Sequence, residues 1–190
     1  MAILHRAWTF DAAALSRRVT SIVRVGGAQA LRDAARQIVA AGHDGTAAAL
    51  AELRFDPEWI AEPDDTSSRT VESVVIILAS HLERAPSIAG HVSLRRALFD
   101  LGWTVAGLDL LYRGRPLETL FDVSRDPELA RCIAGINQYG GWIPRADAAS
   151  LRRRFDELME PVPVKDGLDE ARAMLHVASL RAADLFVVLD

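Results

Sequence analysis

Two short segments at opposite ends of the chain constrain its fold most. Residues 3–10 (ILHRAWTF) and residues 184–190 (DLFVVLD) are rich in aromatic and aliphatic side chains, a composition that favours β-strands. Between them, apolar residues recur mainly at helical spacing. We therefore expect the two ends of the chain to pair in one small sheet against which the helices pack.

Glycine, proline and capping residues divide the intervening chain into helices. Asp11, Thr104 and the Asp126–Pro127 pair are predicted N-caps, and Gly26–Gly27 is expected to stop a helix. Residues 71–85 (VESVVIILASHLERA) are ambiguous. Their β-branched residues suit a strand and their length suits a buried helix, and the helix is preferred.

The predicted fold is α+β and predominantly helical. It has about eight helices and a small sheet formed by the N- and C-terminal strands. A chain of 190 residues fits a single domain spanning residues 1–190. The polar, proline-punctuated segment 56–70 is expected to be a loop within that domain.

Composition and charge indicate a cytoplasmic protein that binds neither nucleic acid nor membrane. The net charge of −4 disfavours nucleic acid as the main partner, because phosphate contacts depend on positive charge. The longest aliphatic run, VVIILA at residues 74–79, is far short of the ~18 residues that a membrane span needs. The N-terminus has no signal-peptide core, and Cys132 has no second cysteine for a disulfide.

The common catalytic and cofactor motifs are missing from the sequence. It contains no GxGxxG, no P-loop lysine and no GxSxG. The five histidines form neither HxH, HxxxH nor HExxH, the spacings that place two imidazoles on one helix face. We therefore predict no cofactor and no metal, although distant histidines could still converge in the fold.

The most distinctive segment is GWTVAGLDLLYRGRPLETL, residues 102–120. Gly114 is expected to end a helix. Arg113 and Arg115 flank this glycine beside Tyr112, an arrangement that can bind an anionic or planar partner. The same arginines can instead neutralise the C-terminal dipole of a helix. Asp109 either shares a solvated helix face with Arg113, four residues later, or is a carboxyl with a raised pKa in a pocket.

A second distinctive segment is YGGWIPRADAASLRRRFDELM, residues 139–159. Its arginine triplet lies on an amphipathic helix, and Arg152 and Arg153 each have an acid four residues later, which disfavours a phosphate site. Trp142 is predicted to lie on a glycine hinge, where it either fixes the helix to the core or contacts a partner. Candidate contact residues for a partner or ligand are Trp103, Asp109, Tyr112, Arg113, Arg115, Tyr139, Trp142 and Arg145.

Several short motifs also resemble one group of proteins. They are HRAWTF (5–10), LGW (101–103) with LLYRGRPL (110–117), GGWI (140–143) and EARAML (170–175) before an apolar strand. Together they resemble uncharacterised bacterial proteins of the YfbM-like type, mainly over residues 139–190. The resemblance implies an α+β fold and a bacterial, cytosolic origin, and it carries over no catalytic residues.

Two classes of function follow as hypotheses. The first is a non-catalytic protein-interaction module, with a protein partner, an immunity-type role or self-association. Its support is the lack of catalytic motifs together with tryptophans beside glycines, since Trp and Arg are enriched at interface hot spots. The alternative is a small enzyme or ligand-binding protein that uses a carboxylate or histidine in a pocket between helices.

Overall fold

The structure of the chain, a computed structural model, describes residues 5–41, 82–88, 91–127, 129–130, 140–159 and 167–189. Strands and helices alternate irregularly along it. In chain order the elements are β1 (His5–Phe10), α1 (Ala12–Ala40), β2 (Glu83–Ile88), α2 (His91–Asp100), α3 (Val105–Arg113), β3 (Arg115–Pro116), a 3-10 helix (Leu117–Leu120), β4 (Gly140–Ile143), α4 (Arg145–Met159), α5 (Leu168–Leu180) and β5 (Asp184–Leu189).

The strands form one five-stranded sheet in the order β2-β1-β5-β4-β3. The predicted pairing of the two ends of the chain is confirmed, because β1 and β5 are neighbours in this sheet. The prediction that terminal strands alone form the sheet is wrong, since β2, β3 and β4 come from the interior of the chain. β3 and β4 contain two and four residues, too few for a period-2 pattern to identify them.

The fold is α+β and mostly helical, as predicted, but the number of helices differs from the prediction. Five α-helices and one 3-10 helix have both ends among the described residues, and residues 127 and 129–130 belong to a further helix, so the number differs from the predicted eight or so. The predicted stop at Gly26–Gly27 is confirmed, because both glycines have non-helical backbone and divide α1 into two helical segments. A further helix that the sequence pattern predicts over residues 46–55 (TAAALAELRF) lies outside the described residues.

Residues 83–85 belong to strand β2, and not to the helix predicted over residues 71–85. The strand begins at Glu83 and includes Pro86, while residues 71–81 lie outside the described part of the chain. β2 is at one edge of the sheet, where proline is tolerated because an edge strand does not need every backbone N–H for pairing. Pairing with β1 therefore decides the conformation of residues 83–85, against their local helical preference.

The three predicted N-caps are confirmed. Asp11 Oδ1 accepts a hydrogen bond from the N–H of Ala14 at 2.8 Å, and Thr104 Oγ1 accepts one from Gly107 at 3.3 Å. Asp126 Oδ1 accepts one from the N–H of Leu129 at 3.0 Å. Each oxygen satisfies a donor that the first helical turn leaves without an intrahelical partner.

The chain divides into two compact units. One comprises Met1–Thr9, Arg84–Arg115 and Tyr139–Asp190, and the other comprises Phe10–Glu83 and Pro116–Gln138. In the first unit, helices α2 to α5 and strands β4 and β5 contribute buried side chains to one apolar core. Its largest members include Leu94, Leu98, Trp103, Leu108, Leu111, Phe155, Met174, Leu175 and Leu185.

In the second unit the described buried apolar side chains come from the end of β1, from α1 and from the segment after β3. They are Phe10, Ala12, Leu15, Val19, Val23, Leu31, Leu117, Phe121 and Leu129. The α1 members follow the apolar face that the sequence predicts for this helix. That residues 1–190 form a single domain stays a prediction.

The turn after α5 has a non-glycine residue in the left-handed region, and it gives a prediction of stability. The N–H of Ala182 bonds to Ser179 O at 3.2 Å, and that of Ala183 to Ala178 O at 3.1 Å, the two bonds of a Schellman cap. Ala182 occupies the left-handed position with φ 47°, which strains any residue with a Cβ. Ala182→Gly is expected to raise the free energy of unfolding in urea by about 0.5–1 kcal/mol.

The reciprocal control is the cap after α2. Gly102 N–H bonds to Phe99 O and Trp103 N–H to Leu98 O, both at 3.0 Å, with Gly102 at φ +84° and open space around a Cβ. Gly102→Ala is therefore expected to lower the free energy of unfolding by about 1 kcal/mol through backbone strain alone. Equal effects of the two substitutions in the same direction would contradict this account.

Candidate functional site

The two distinctive sequence segments meet in the first unit, through two glycines. A Cβ on Gly114 would lie 2.6 Å from Trp142 N and 2.8 Å from Trp142 O. A Cβ on Gly141 would overlap Arg113 O and lie 2.8 Å from Arg115 O. The backbone between α3 and β3 therefore lies directly against β4, at a contact we call the Gly114–Gly141 junction. Only residues without a side chain permit so close an approach.

Gly114 has a second role at this junction, as the C-cap of α3. Its φ of 68° lies in the left-handed region, and its N–H donates to Leu110 O at 3.1 Å. The sequence predicted that this glycine ends the helix, and the prediction is confirmed. Because the chain turns sharply here, Arg113 is the last residue of α3 and Arg115 the first of β3.

Three arginines are placed around the junction. Arg113 and Arg145 are exposed, and Arg115 has a half-exposed side chain whose Nη2 lies 2.6 Å from Asp147 Oδ2. The Arg115–Asp147 contact is an ion pair. Arg115 is thus held by a carboxylate of α4, while the other two guanidinium groups extend from the ends of α3 and α4.

Asp184, the first residue of β5, accepts a hydrogen bond from a backbone N–H at the start of α4. Its Oδ1 accepts a hydrogen bond from the backbone N–H of Arg145 at 2.8 Å. Asp147 adds a second acidic group in the first turn of α4. Both carboxylates favour the positive end of the helix dipole. An anionic ligand at this helix end would compete with them, which agrees with the predicted weakness of a phosphate site here.

Trp142 lies in a strand, and not on the glycine hinge that the sequence predicted. Gly140–Ile143 is β4, which pairs antiparallel with β5 so that Trp142 is opposite Phe186. Its side chain is partly exposed. It is on the same face of the sheet as Phe186 and on the opposite face from the buried Ile143. The backbones of Arg113, Arg115, Trp142 and Arg145 lie at or next to the junction, and we call these four residues the arginine–tryptophan face. It joins four of the eight candidate contact residues at the Gly114–Gly141 junction.

The structure places Trp103 in the core, away from any partner. Its side chain is 2% exposed and meets Phe155 edge to face, with ring centroids 5.9 Å apart. The Arg154 guanidinium lies 5.2 Å from the centroid of the indole, and Arg154 Nη2 donates to Gly102 O at 3.2 Å. Trp103 therefore fixes the turn between α2 and α3 to α4 and offers no surface for a ligand.

Asp109 is solvent-exposed on α3, as Arg113 is, which agrees with the first of its two interpretations, but its ion-pair partner is a different arginine. Its Oδ1 lies 3.6 Å from Arg95 Nη2 of α2, and both side chains are about half exposed. The sequence predicted Arg113 as the partner, because only helical neighbours are visible in a sequence. An exposed pair of this kind contributes little to stability. The exposure of Asp109 also disfavours a carboxyl enclosed in a pocket.

Tyr112 is buried in the same core, and this has a measurable consequence. Burial raises the pKa of its hydroxyl above the ordinary value of 10.0, while the nearby Arg95 lowers it by less. Tyr112 and Tyr139 are the two tyrosines of the chain. In a Tyr139→Phe variant we therefore expect the ultraviolet absorbance of tyrosinate to develop only well above pH 10, together with a falling free energy of unfolding.

The sign follows from proton binding. Above pH 10.0 an unfolded tyrosine loses its proton while folded Tyr112 keeps it, so stability decreases as the pH rises further. The control is Tyr112→Phe, which should remove this pH dependence. A titration of the Tyr139→Phe variant at pH 10, with no accompanying loss of structure, would contradict the burial of Tyr112.

The remaining candidate groups give no second cluster. Tyr139 lies outside the described residues, as do His43, His81 and Cys132. Across the residues that the structure describes, no group of three His, Cys, Asp or Glu side chains is placed to bind a metal ion. In that same part of the chain, no helix is long and apolar enough to cross a bilayer.

An open groove of about 390 Å³ lies along α1 in the second unit. Its described lining consists of Ser16, Arg17, Thr20, Ser21, Arg24 and Val25. Arg24 Nε is 3.5 Å from Asp126 Oδ2, so part of the positive charge is compensated. The described lining has neither a carboxylate nor a histidine, and it therefore lacks the acid–base group that the enzymatic alternative requires.

Comparison of the chain with models of protein families, with curated protein sequences and with solved structures finds no match. Sequence reasoning missed Arg95, Asp184 and Arg154, because each contacts a residue far away in the chain. The separation is smallest for Arg95 and Asp109, at 14 positions, and largest for Arg154 and Gly102, at 52. No local pattern signals such contacts.

Proposed function

We propose that this chain is a non-catalytic protein-interaction module that binds a partner protein through the arginine–tryptophan face. The observation that carries the proposal is the exposure of Arg113 and Arg145 without a partner among the described residues. Both are exposed, and within the described part of the chain neither guanidinium has a hydrogen-bond or ion-pair partner.

The chemistry of this face supports binding to a protein. Tryptophan and arginine are the residue types most enriched at interface hot spots, where an aromatic ring supplies contact area and a guanidinium supplies several donors. The Gly114–Gly141 junction fixes the backbone of these residues, so the face is held in place before binding. Such preorganisation reduces the entropy cost of association.

The sequence supports the cellular origin and the kind of partner that we propose. Its motif resemblance and its single cysteine agree with a bacterial cytoplasmic protein, where an immunity-type or other partner-binding role is one form of this function. Self-association is a further form, in which the partner is a second copy of the chain. The enzymatic alternative has no specific support, because Asp109 is half exposed and the described lining of the α1 groove contains no acid–base group.

The test is affinity capture from the native host with the tagged full chain, followed by native mass spectrometry and metal analysis of the eluate. We expect a reproducible protein partner that Trp142→Ala and Arg145→Ala each lose, with unchanged circular dichroism. Phe99→Ala is the matched control, because Phe99 is an aromatic residue of the same unit that is 57% exposed and lies outside the face. Capture that both Trp142→Ala and Arg145→Ala leave unchanged, or a stoichiometric metal or small molecule in place of a protein, contradicts the proposal.

A further inference from the structure

We propose that the groove along α1 is a binding site for a small organic molecule that carries a phosphate monoester. The phosphate group binds the Arg17 guanidinium together with the hydroxyl groups of Thr20 and Ser21. The residues of this site belong to the second unit, and none of them is part of the arginine–tryptophan face. The inference therefore goes beyond the proposed function.

The polar side chains that line the groove are available to a ligand. Within the described part of the chain, the Arg17 guanidinium has neither a hydrogen-bond nor an ion-pair partner, and the hydroxyl groups of Ser16, Thr20 and Ser21 have no hydrogen-bond partner. A helical serine can donate its hydroxyl hydrogen to a carbonyl group of the preceding turn, as Ser150 does over 3.0 Å. The hydroxyl groups in the groove do not form this bond, so each can donate to a bound anion.

Three of these side chains are neighbours on the surface of α1. Thr20 and Ser21 follow Arg17 by three and four residues, the separations that place side chains next to each other on a helix, with Cβ atoms about 5–6 Å apart. A phosphate group in contact with all three accepts hydrogen bonds from one guanidinium and from two hydroxyl groups. Because its oxygens are arranged tetrahedrally, more than one of them can face the helix at once.

The number of donors favours a phosphate monoester over a carboxylate. A carboxylate has two oxygens in one plane, and a single guanidinium binds both of them through two parallel hydrogen bonds. A phosphate monoester has three strongly accepting terminal oxygens. It can therefore bind the guanidinium of Arg17 and still present an oxygen to the hydroxyl groups of Thr20 and Ser21.

The groove has a small positive charge. Arg17 and Arg24 each contribute one positive charge to its described lining, and Asp126, which pairs with Arg24 over 3.5 Å, contributes one negative charge. The net charge of these three groups is therefore +1. The second negative charge of a phosphate dianion has to be stabilised by neutral donors, since hydrogen bonds to a charged acceptor are stronger than those between neutral groups. Affinity should therefore depend on the hydroxyl groups as well as on Arg17.

The groove is large enough for an organic group beside the phosphate. Its volume of about 390 Å³ is within the range of about 300–1,000 Å³ that is common for small-molecule sites. Beyond Ser21 the lining continues with Arg24 and with Val25, whose side chain is 87% exposed. Carbon atoms of the ligand can cover Val25. The described lining supplies neither a carboxylate nor a histidine, which agrees with binding rather than catalysis.

The experiment is a titration of the isotope-labelled full chain with matched probes, followed by the NMR shifts of its backbone amides. The probes are glycerol 3-phosphate, glycerate and glycerol, which carry a phosphate monoester, a carboxylate and no charge. We expect glycerol 3-phosphate to bind about tenfold more tightly than glycerate, with shift changes concentrated in residues 16–25. Arg17→Gln should weaken this binding about tenfold, because it removes a charged hydrogen-bond donor. Thr20→Val/Ser21→Ala should weaken it several-fold, and circular dichroism should stay unchanged in both variants.

Arg18→Gln is the matched control, because Arg18 is exposed on the same helix and is not part of the described lining. It should leave the affinity for glycerol 3-phosphate within twofold of the unmodified chain. Equal losses in Arg17→Gln and Arg18→Gln overturn the inference, since they indicate attraction by overall charge. So does equal binding of glycerol 3-phosphate and glycerate, or a set of shift changes outside residues 16–25.

A lipid headgroup is a second source of the same chemistry, because phosphatidic acid also carries a phosphate monoester. The full chain is therefore also mixed with phosphatidylcholine vesicles that contain phosphatidic acid, and co-sedimentation is measured. We expect no more co-sedimentation than with phosphatidylcholine alone. Binding to the phosphatidic acid vesicles without a response to glycerol 3-phosphate overturns the small-molecule site, and so does the absence of any response to either probe.

Discussion

Gly141→Ala is expected to lower the free energy of unfolding by about 3 kcal/mol, at the upper end of the range for an overpacked site. The added Cβ would overlap Arg113 O and lie 2.8 Å from Arg115 O. Both are backbone atoms, so no side-chain rotation relieves the overlap. β4 or the segment between α3 and β3 has to move, and the pairing of β4 with β5 is disturbed.

The measurement is urea unfolding followed by circular dichroism, with Gly107→Ala as the control. A Cβ at Gly107 meets Thr104 Oγ1 and Trp103 at 3.5 Å, which is ordinary van der Waals contact. Because Gly107 is inside α3, alanine there is expected to raise stability by up to about 1 kcal/mol through helix propensity. A Gly141→Ala variant as stable as the unmodified chain would show that β4 does not lie against α3 and β3.

Trp103→Ala is expected to lower the free energy of unfolding by about 3–5 kcal/mol, the usual cost of removing a large aromatic side chain from a core. The indole is 2% exposed, packs edge to face on Phe155, and has the Arg154 guanidinium over its ring. Its removal leaves a cavity among α2, α3 and α4 and also ends the cation–π contact.

Two variants make the Trp103 result specific. Trp103→Phe keeps an aromatic ring and removes an N–H that has no hydrogen-bond partner among the residues described, so it should cost clearly less than alanine. Phe99→Ala, at a side chain that is 57% exposed, should change stability by no more than about 0.5 kcal/mol. A loss below about 1 kcal/mol for Trp103→Ala, with binding abolished, would instead place this indole in the partner site.

The contrast between Trp103 and Trp142 shows the limit of sequence reasoning about the site. Both tryptophans follow a glycine, and both were candidate contact residues. Trp103 follows the glycine of a helix cap and turns into the core, whereas Trp142 follows the glycine that lies against Arg113 and Arg115. The local sequences are alike, and the neighbours that distinguish them are distant in the chain.

Local interactions explain what the sequence by itself determined about this protein. The N-caps at Asp11, Thr104 and Asp126 depend on atoms three residues apart, and the break at Gly26–Gly27 depends on backbone freedom. The α+β class follows from residue patterns that favour strands at the two ends of the chain and helices between them.

The tertiary structure alone decided the remaining features. It made residues 83–88 and 140–143 strands, paired Asp109 with Arg95, and placed Asp184 at the start of α4. Each depends on atoms from different elements meeting in space, and their energies are comparable to local preferences or larger. The arginine–tryptophan face belongs to this second class, because only the contact of Gly114 with Trp142 brings its two halves together.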